Sequence, residues 1–121
     1  MKAIIVPAMC LVGFACASLF ASVACAQDMA TTAGKNVKVL LDNEKVRVLE
    51  LNMPPGASTG LHSHGDNVVY FVTGGTATQV TNGESKTMTR KPGEAIWSGP
   101  VTHDTTNSGK TAVKTVVIEL K

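Results

Sequence analysis

Three histidines, His62, His64 and His103, carry most of the chemistry that can be read from this chain of 121 residues. Two of them stand two positions apart in Gly60-Leu61-His62-Ser63-His64. In an extended strand, residues spaced this way project from one face, so their imidazoles can converge on a single metal ion. His103 would complete a facial set. The plainer reading is a pair of solvated polar residues on a strand that meets water. What surrounds the histidines has to separate the two.

Other chemistry has little support. No Ser or Thr stands beside a recognisable base, and no phosphate-cradling glycine loop is present. The carboxylates from Asp42 and Glu44 through Glu119 are not drawn together by any spacing. No catalytic residue can therefore be named.

The chain opens Met1-Lys2, runs uncharged and apolar through Ala26, and reaches its next charge at Asp28. This is the pattern of a secretory signal peptide, residues 1–26, with Ala24-Cys25-Ala26 as the small-x-small cleavage site and Gln27 as the mature start. The stretch is also long enough to serve as an uncut anchor. A lipoprotein with Cys25 acylated is less favoured, because Ser22 stands where a branched residue is needed. All three cysteines, Cys10, Cys16 and Cys25, fall in this segment. The mature domain then has neither disulfide nor thiol nucleophile, and an exported domain of about 95 residues must rely on its core, a metal or oligomerisation. A bacterial periplasm fits, with no stable membrane insertion after cleavage.

Of eleven basic residues, loss of Lys2 leaves ten against nine acids. The balance is near neutral, and the basic residues are scattered without interleaved aromatics, so nucleic-acid binding is not expected.

The elements that must position the histidines read as strands. Residues 27–36 are small and polar, the pattern of a flexible leader outside the core. Residues 37–121 form the domain. Val37 to Leu41 and Val46 to Leu51 are branched runs parted by a turn at Asp42-Asn43, and Pro54-Pro55-Gly56 stops the second. Val68 to Val72 is continuously apolar, the pattern of a strand buried on both faces. Ala77 to Thr81 and Ser85 to Thr89 flank Asn82-Gly83, a strong hairpin signal. Glu94 to Trp97, Val101 to Thr106 and Ala112 to Leu120 follow. Eight or nine short antiparallel strands with no convincing helix predict an all-β sandwich or barrel. Core packing is the reading for Phe71 and Trp97. Strict alternation from His62 and His64 would turn Tyr70 inward, but the intervening Gly65-Asp66-Asn67 is expected to break that phase.

Pro55-Gly56 followed by Gly60-Leu61-His62-Ser63-His64 and the apolar run to Gly74-Gly75 resembles the first cupin motif. Pro92-Gly93-Glu94, Gly99-Pro100, then His103 with Asn107 four residues on, resembles the second. Small exported single-domain cupins, including those linked to β-alanine degradation, are similar. The resemblance implies a cupin-type jelly-roll β-barrel with a divalent transition metal held by His62, His64 and His103. It departs from the family pattern at one point that matters: Val68 or Val69 stands where a metal-binding glutamate is usual. Asp66 and Asn67 are nearby polar substitutes, but both lie closer to His64 than the motif places its ligand. Ser98 and Pro100 also replace the Pro and Gly of the second motif.

A site of three neutral imidazoles leaves a divalent ion its full charge and favours Fe, Cu, Zn or Ni over Mn. The implied functions are a metal-dependent dioxygenase acting on a small chelating substrate, or a non-catalytic periplasmic protein that binds a metal or small ligand. A third, a barrel kept as an interaction domain, needs no site at all. A homodimer is expected, with Val37 to Leu41 and Ala112 to Leu120 as candidate edge strands.

Overall fold

The computed structural model describes residues 27–121. The signal peptide expected over 1–26, with its three cysteines, lies outside the described residues. Nine strands follow one another: β1 (Val37–Asp42), β2 (Val46–Met53), β3 (His62–His64), β4 (Asn67–Phe71), β5 (Gly75–Thr81), β6 (Glu84–Arg90), β7 (Ala95–Ser98), β8 (Val101–Asn107) and β9 (Val113–Leu120). They form a five-stranded sheet, ordered β1-β2-β9-β4-β7, facing a four-stranded sheet, ordered β3-β8-β5-β6. Every strand pairing is antiparallel. This is the all-β architecture that the strand pattern predicts, in the jelly-roll arrangement that the cupin resemblance implies. Among the described residues no helix is long and apolar enough to cross a membrane.

Alternation divides each strand between the inside of the barrel and its outer surface. On β2, Leu49, Leu51 and Met53 point inward, opposite Val117, Thr115 and Val113 of β9. Leu49 is fully buried, and it anchors a core with Leu51, Met53 and Val117. Replacing so enclosed a leucine with alanine costs about 3 kcal/mol. The β5–β6 hairpin closes through Asn82 (φ 51°) and Gly83 (φ 78°), both in the left-handed region that a two-residue type I′ turn requires.

Several expectations are corrected. Residues 27–36 are no leader outside the core: Asp28 caps a one-turn helix, α1 (Met29–Thr32), and Met29 and Ala33 join the core cluster. Met29 supplies the bulky side chain that the polar composition of the segment disguised. The run from Val68 to Val72, most of which is β4, is not buried on both faces, since Tyr70 and Val72 are exposed. The turn between β3 and β4 does break the phase, so Phe71 faces inward and Tyr70 outward. Trp97 is 61% exposed rather than packed in the core, because β7 turns Ile96 inward and Trp97 out. Of the two proposed edges, β1 is one, but β9 is hydrogen-bonded on both sides and sits mid-sheet.

Candidate metal centre

β3 pairs with β8 so that His62 lies directly opposite His103. His64, two residues on, shares the face of His62. The ring centroids are 4.6 Å (His62–His64), 4.7 Å (His62–His103) and 5.4 Å (His64–His103) apart, all in edge-to-face arrangement. One nitrogen from each ring lies within 4.8 Å of the others. Donors sharing an ion at about 2.1 Å sit about 3 to 4 Å from one another, so these rings need only small movements to share one. The structure therefore brings together all three of the histidines singled out in the sequence.

The outward-facing nitrogens fix what the inward-facing ones can do. His62 Nδ1 lies 2.7 Å from the Gly60 carbonyl oxygen, which can only accept, so Nδ1 carries the hydrogen. Gly60 adopts φ 70°, a left-handed conformation that glycine takes without penalty, and this places its carbonyl just ahead of the strand. His64 Nδ1 lies 2.8 Å from Glu119 Oε1. Burial alone would raise the Glu119 pKa, but hydrogen bonds from His64 and Arg47 outweigh it and hold the carboxyl below its usual range. Glu119 is thus an acceptor, and His64 Nδ1 donates to it. With both Nδ1 atoms directed outward, the Nε2 atoms of the two rings face each other across 2.9 Å, a contact that calls for a proton or a metal ion between them. Burial lowers the His62 pKa, and burial together with the neighbouring rings lowers that of His103 to about 4, so these two rings resist taking up protons near neutral pH.

His103 has its own outer partner, the side-chain amide of Gln79 against Nδ1. It is Gln79 Nε2 that stands against this nitrogen, and it also reaches Thr105 Oγ1 at 3.4 Å; turning the amide over would set Gln79 Oε1 against an Nδ1–H and leave His103 Nε2 free to ligate. His62 and His64 have acceptors behind them, a backbone carbonyl and a carboxylate, and His103 has an amide. Glu119 is itself held by Arg47 Nε at 2.7 Å, and Arg47 Nη1 reaches Asp28 Oδ2 at 2.7 Å. The Arg47 hydrogen bonds lower the Asp28 pKa, and the two carboxylates raise that of Arg47. The Asp28–Arg47–Glu119–His64 chain ties the start of the domain to the histidine cluster. So does Ser63, whose backbone N–H donates to the Gln27 carbonyl.

The position of the missing glutamate is now resolved. Val68 faces outward and Val69 lines the cavity, so neither can ligate. Asp66 is exposed. Asn67 is buried and also lines the cavity, with both amide hydrogens spent on the carbonyls of Gly65 and Ser98, so what it can offer the cavity is a carbonyl oxygen. Asn107 of the second motif is structural: its amide donates to the Met53 and Thr111 carbonyls.

Residues 49–119 match the model of the cupin domain family. A cupin domain from Bordetella pertussis Tohama I is 36% identical, with a TM-score of 0.67, over 70% of this chain and 91% of that one. This chain belongs to the cupin family. Other cupin-like structures share the fold at greater distance. A predicted oxalate decarboxylase from Thermotoga maritima is 27% identical, with a TM-score of 0.52, covering 70% of this cupin and 79% of its own chain. A cupin-like protein from the same organism is 24% identical, with a TM-score of 0.57, over 69% and 65% of the two chains. No curated protein matches this cupin.

Sequence reasoning missed Glu119, Arg47, Asp28 and Gln79. Glu119 has the one usable signal: it shares the inward parity of Val113, Thr115 and Val117, and a charged residue on the buried side of a strand calls for a partner. Gln79 alternates with Ala77 on the inner face of β5, but an interior amide announces no specific role.

Proposed function

We propose that His62, His64 and His103 hold one divalent transition metal, and that this cupin is a metal-dependent dioxygenase acting on a small chelating substrate. The observation that carries the metal is the convergence of the three rings, with one nitrogen from each within 4.8 Å of the others and the Nδ1 atoms of His62 and His64 committed elsewhere. A bound Fe or Cu ion would supply redox chemistry and Lewis acidity at positions the three imidazoles leave open. The protein's own part is to fix the three rings, through Gly60, Glu119 and Gln79, and to keep water out of the cavity behind them. That cavity, about 290 Å³, is lined by Met53, Val69, Phe71 and Ile96 among others, and suits a largely apolar small molecule.

One observation favours the alternative, a non-catalytic metal or ligand-binding protein. No aspartate or glutamate lines the cavity, so the described residues offer no carboxylate as general base. Oxygen uptake by the iron- or copper-loaded protein with diketone, thiol or flavonol substrates separates the two. Uptake that disappears in His103→Ala supports the oxygenase, and tight metal binding with no uptake supports the binder.

We further propose export to the periplasm, supported by the composition of residues 1–26, and pairing of two copies. Register aligns Leu41, Val48, Ile118, Val68 and Trp97 across all five strands of the larger sheet, on its outer face. An apolar row of that extent is what a second copy would cover. Sedimentation of Trp97→Lys tests it: a monomer is expected from the variant and a dimer from the parent. A parent that sediments as a monomer would overturn the pairing.

A further inference from the structure

The cavity runs from the histidines toward a second polar group at its other end. Gln79, against His103, and Gly75, paired with Arg90, both lie on β5 four residues apart, about 13 Å at strand rise. Between these levels the walls are mostly apolar, with Met53, Val69, Phe71, Met88, Ile96 and Val117, and the amide of Asn107, which also lines them, is spent on backbone carbonyls. At the far level Arg90 lines the cavity with its guanidinium 5.9 Å from the centroid of Phe71. Its Nε is buried and has no hydrogen-bond partner, and its Nη2 reaches only the sulfur of Met88 at 3.6 Å. Thr115, opposite Phe71 on β9, is 5% exposed, and its hydroxyl is likewise buried without a partner.

Arg90 is half-buried, and a buried guanidinium N–H left without an acceptor is costly, as is a buried hydroxyl left unpaired. No ion pair reaches Arg90 among the described residues, and residues 1–26 contain no Asp or Glu that could supply one. Arg47 shows the contrast, since its guanidinium meets two carboxylates. What Arg90 and Thr115 lack is an acceptor with several lone pairs, and the apolar walls leading to them call for an apolar body. We propose that this end of the cavity binds the carboxylate of an amphipathic organic anion, with Arg90 and Thr115 donating to its oxygens and its apolar body running along the barrel toward the histidines. The inference rests on the cavity being a ligand site, as the proposed function has it, and not on which metal the histidines hold.

Octanoate and its neutral counterpart octanamide are the probes, titrated calorimetrically into protein freed of metal by a chelator. Octanoate should bind wild type at least tenfold more tightly than octanamide. Arg90→Gln should weaken octanoate at least tenfold and leave octanamide within twofold, while Arg90→Lys keeps part of the preference. The melting temperature of Arg90→Gln should not fall, because an unpaired cation is removed, and this separates lost recognition from lost folding. Equal affinity of wild type for the two probes, octanoate binding unaffected by Arg90→Gln, or no octanoate binding at all would each overturn the proposal. None of these results bears on whether the histidines hold a metal.

Discussion

The two ends of the barrel cavity are built on opposite principles. At the histidine end every outward-facing nitrogen has a polar partner, and three inward-facing nitrogens converge on a common point. At the other end the unsatisfied groups are donors: the Arg90 guanidinium with no carboxylate, and the Thr115 hydroxyl with no partner. The first arrangement awaits a cation and the second an anion. Buried polar groups normally find partners within the fold. Where this fold withholds them, the sign of what is missing differs between the two ends, and that difference says more about function than the cavity's shape does.

The largest effect that can break this contrast lies behind His64. Glu119→Gln removes the charge that orients and enriches the imidazole, and it leaves Arg47 short of one carboxylate. Metal affinity should fall by about 10- to 100-fold, as for other residues that orient a ligand from behind. Competition with a chromogenic chelator measures it. Unchanged affinity would mean that the Glu119 contact is incidental.

Acid should act next, and on one end only. Burial holds His62 and His103 below the ordinary histidine value of 6.5, His103 at about 4. As pH falls below 6.5 the unfolded chain takes up protons that the folded rings resist, so stability drops through this window until the folded His103 titrates near pH 4. Glu119 and Asp28, both held below their usual values of 4.5 and 3.8, contribute stability above those values that is lost as pH falls further. Both effects have the same sign. Denaturation midpoints of the metal-free protein should therefore decrease steadily from pH 7 to pH 4, and a flat profile would contradict the burial of the rings.

How much of this could be read from the sequence follows from how local each signal is. The Asn82-Gly83 turn, the runs of branched residues and the His-x-His spacing are local. They place the β5–β6 hairpin, most strand positions and all three histidines. Orientation was less legible. Trp97 faces outward because the pairing of β4 and β7 sets its parity, and no short stretch encodes that pairing, whereas the phase break ahead of Tyr70 is signalled locally by Gly65-Asp66-Asn67. The central position of β9 is a matter of topology, as is the contact between Asp28 and Arg47 across nineteen residues of sequence. Met29 shows the opposite failure, a single buried side chain in a segment whose average composition reads as loop.

Two smaller effects sharpen the comparison. Gln79→Leu removes the amide behind His103 without altering charge, and should weaken metal by about tenfold, less than Glu119→Gln, as expected for losing an amide rather than a carboxylate. Equal losses from the two variants would mean that charge behind the rings is immaterial. At the other end, Thr115→Val deletes an unpaired buried hydroxyl at nearly constant volume, and should stabilise the unliganded protein by about 1 kcal/mol in urea unfolding while leaving metal affinity unchanged. Destabilisation would mean that the hydroxyl has a partner after all.

The metal itself is the most direct test. Protein purified after export, analysed by plasma mass spectrometry beside His62→Ala, should carry one transition-metal ion per chain, and the variant essentially none. A wild-type protein without stoichiometric metal that also fails to take up Fe, Cu, Zn or Ni, or a His62→Ala variant that binds as well as the parent, would contradict the three-histidine centre.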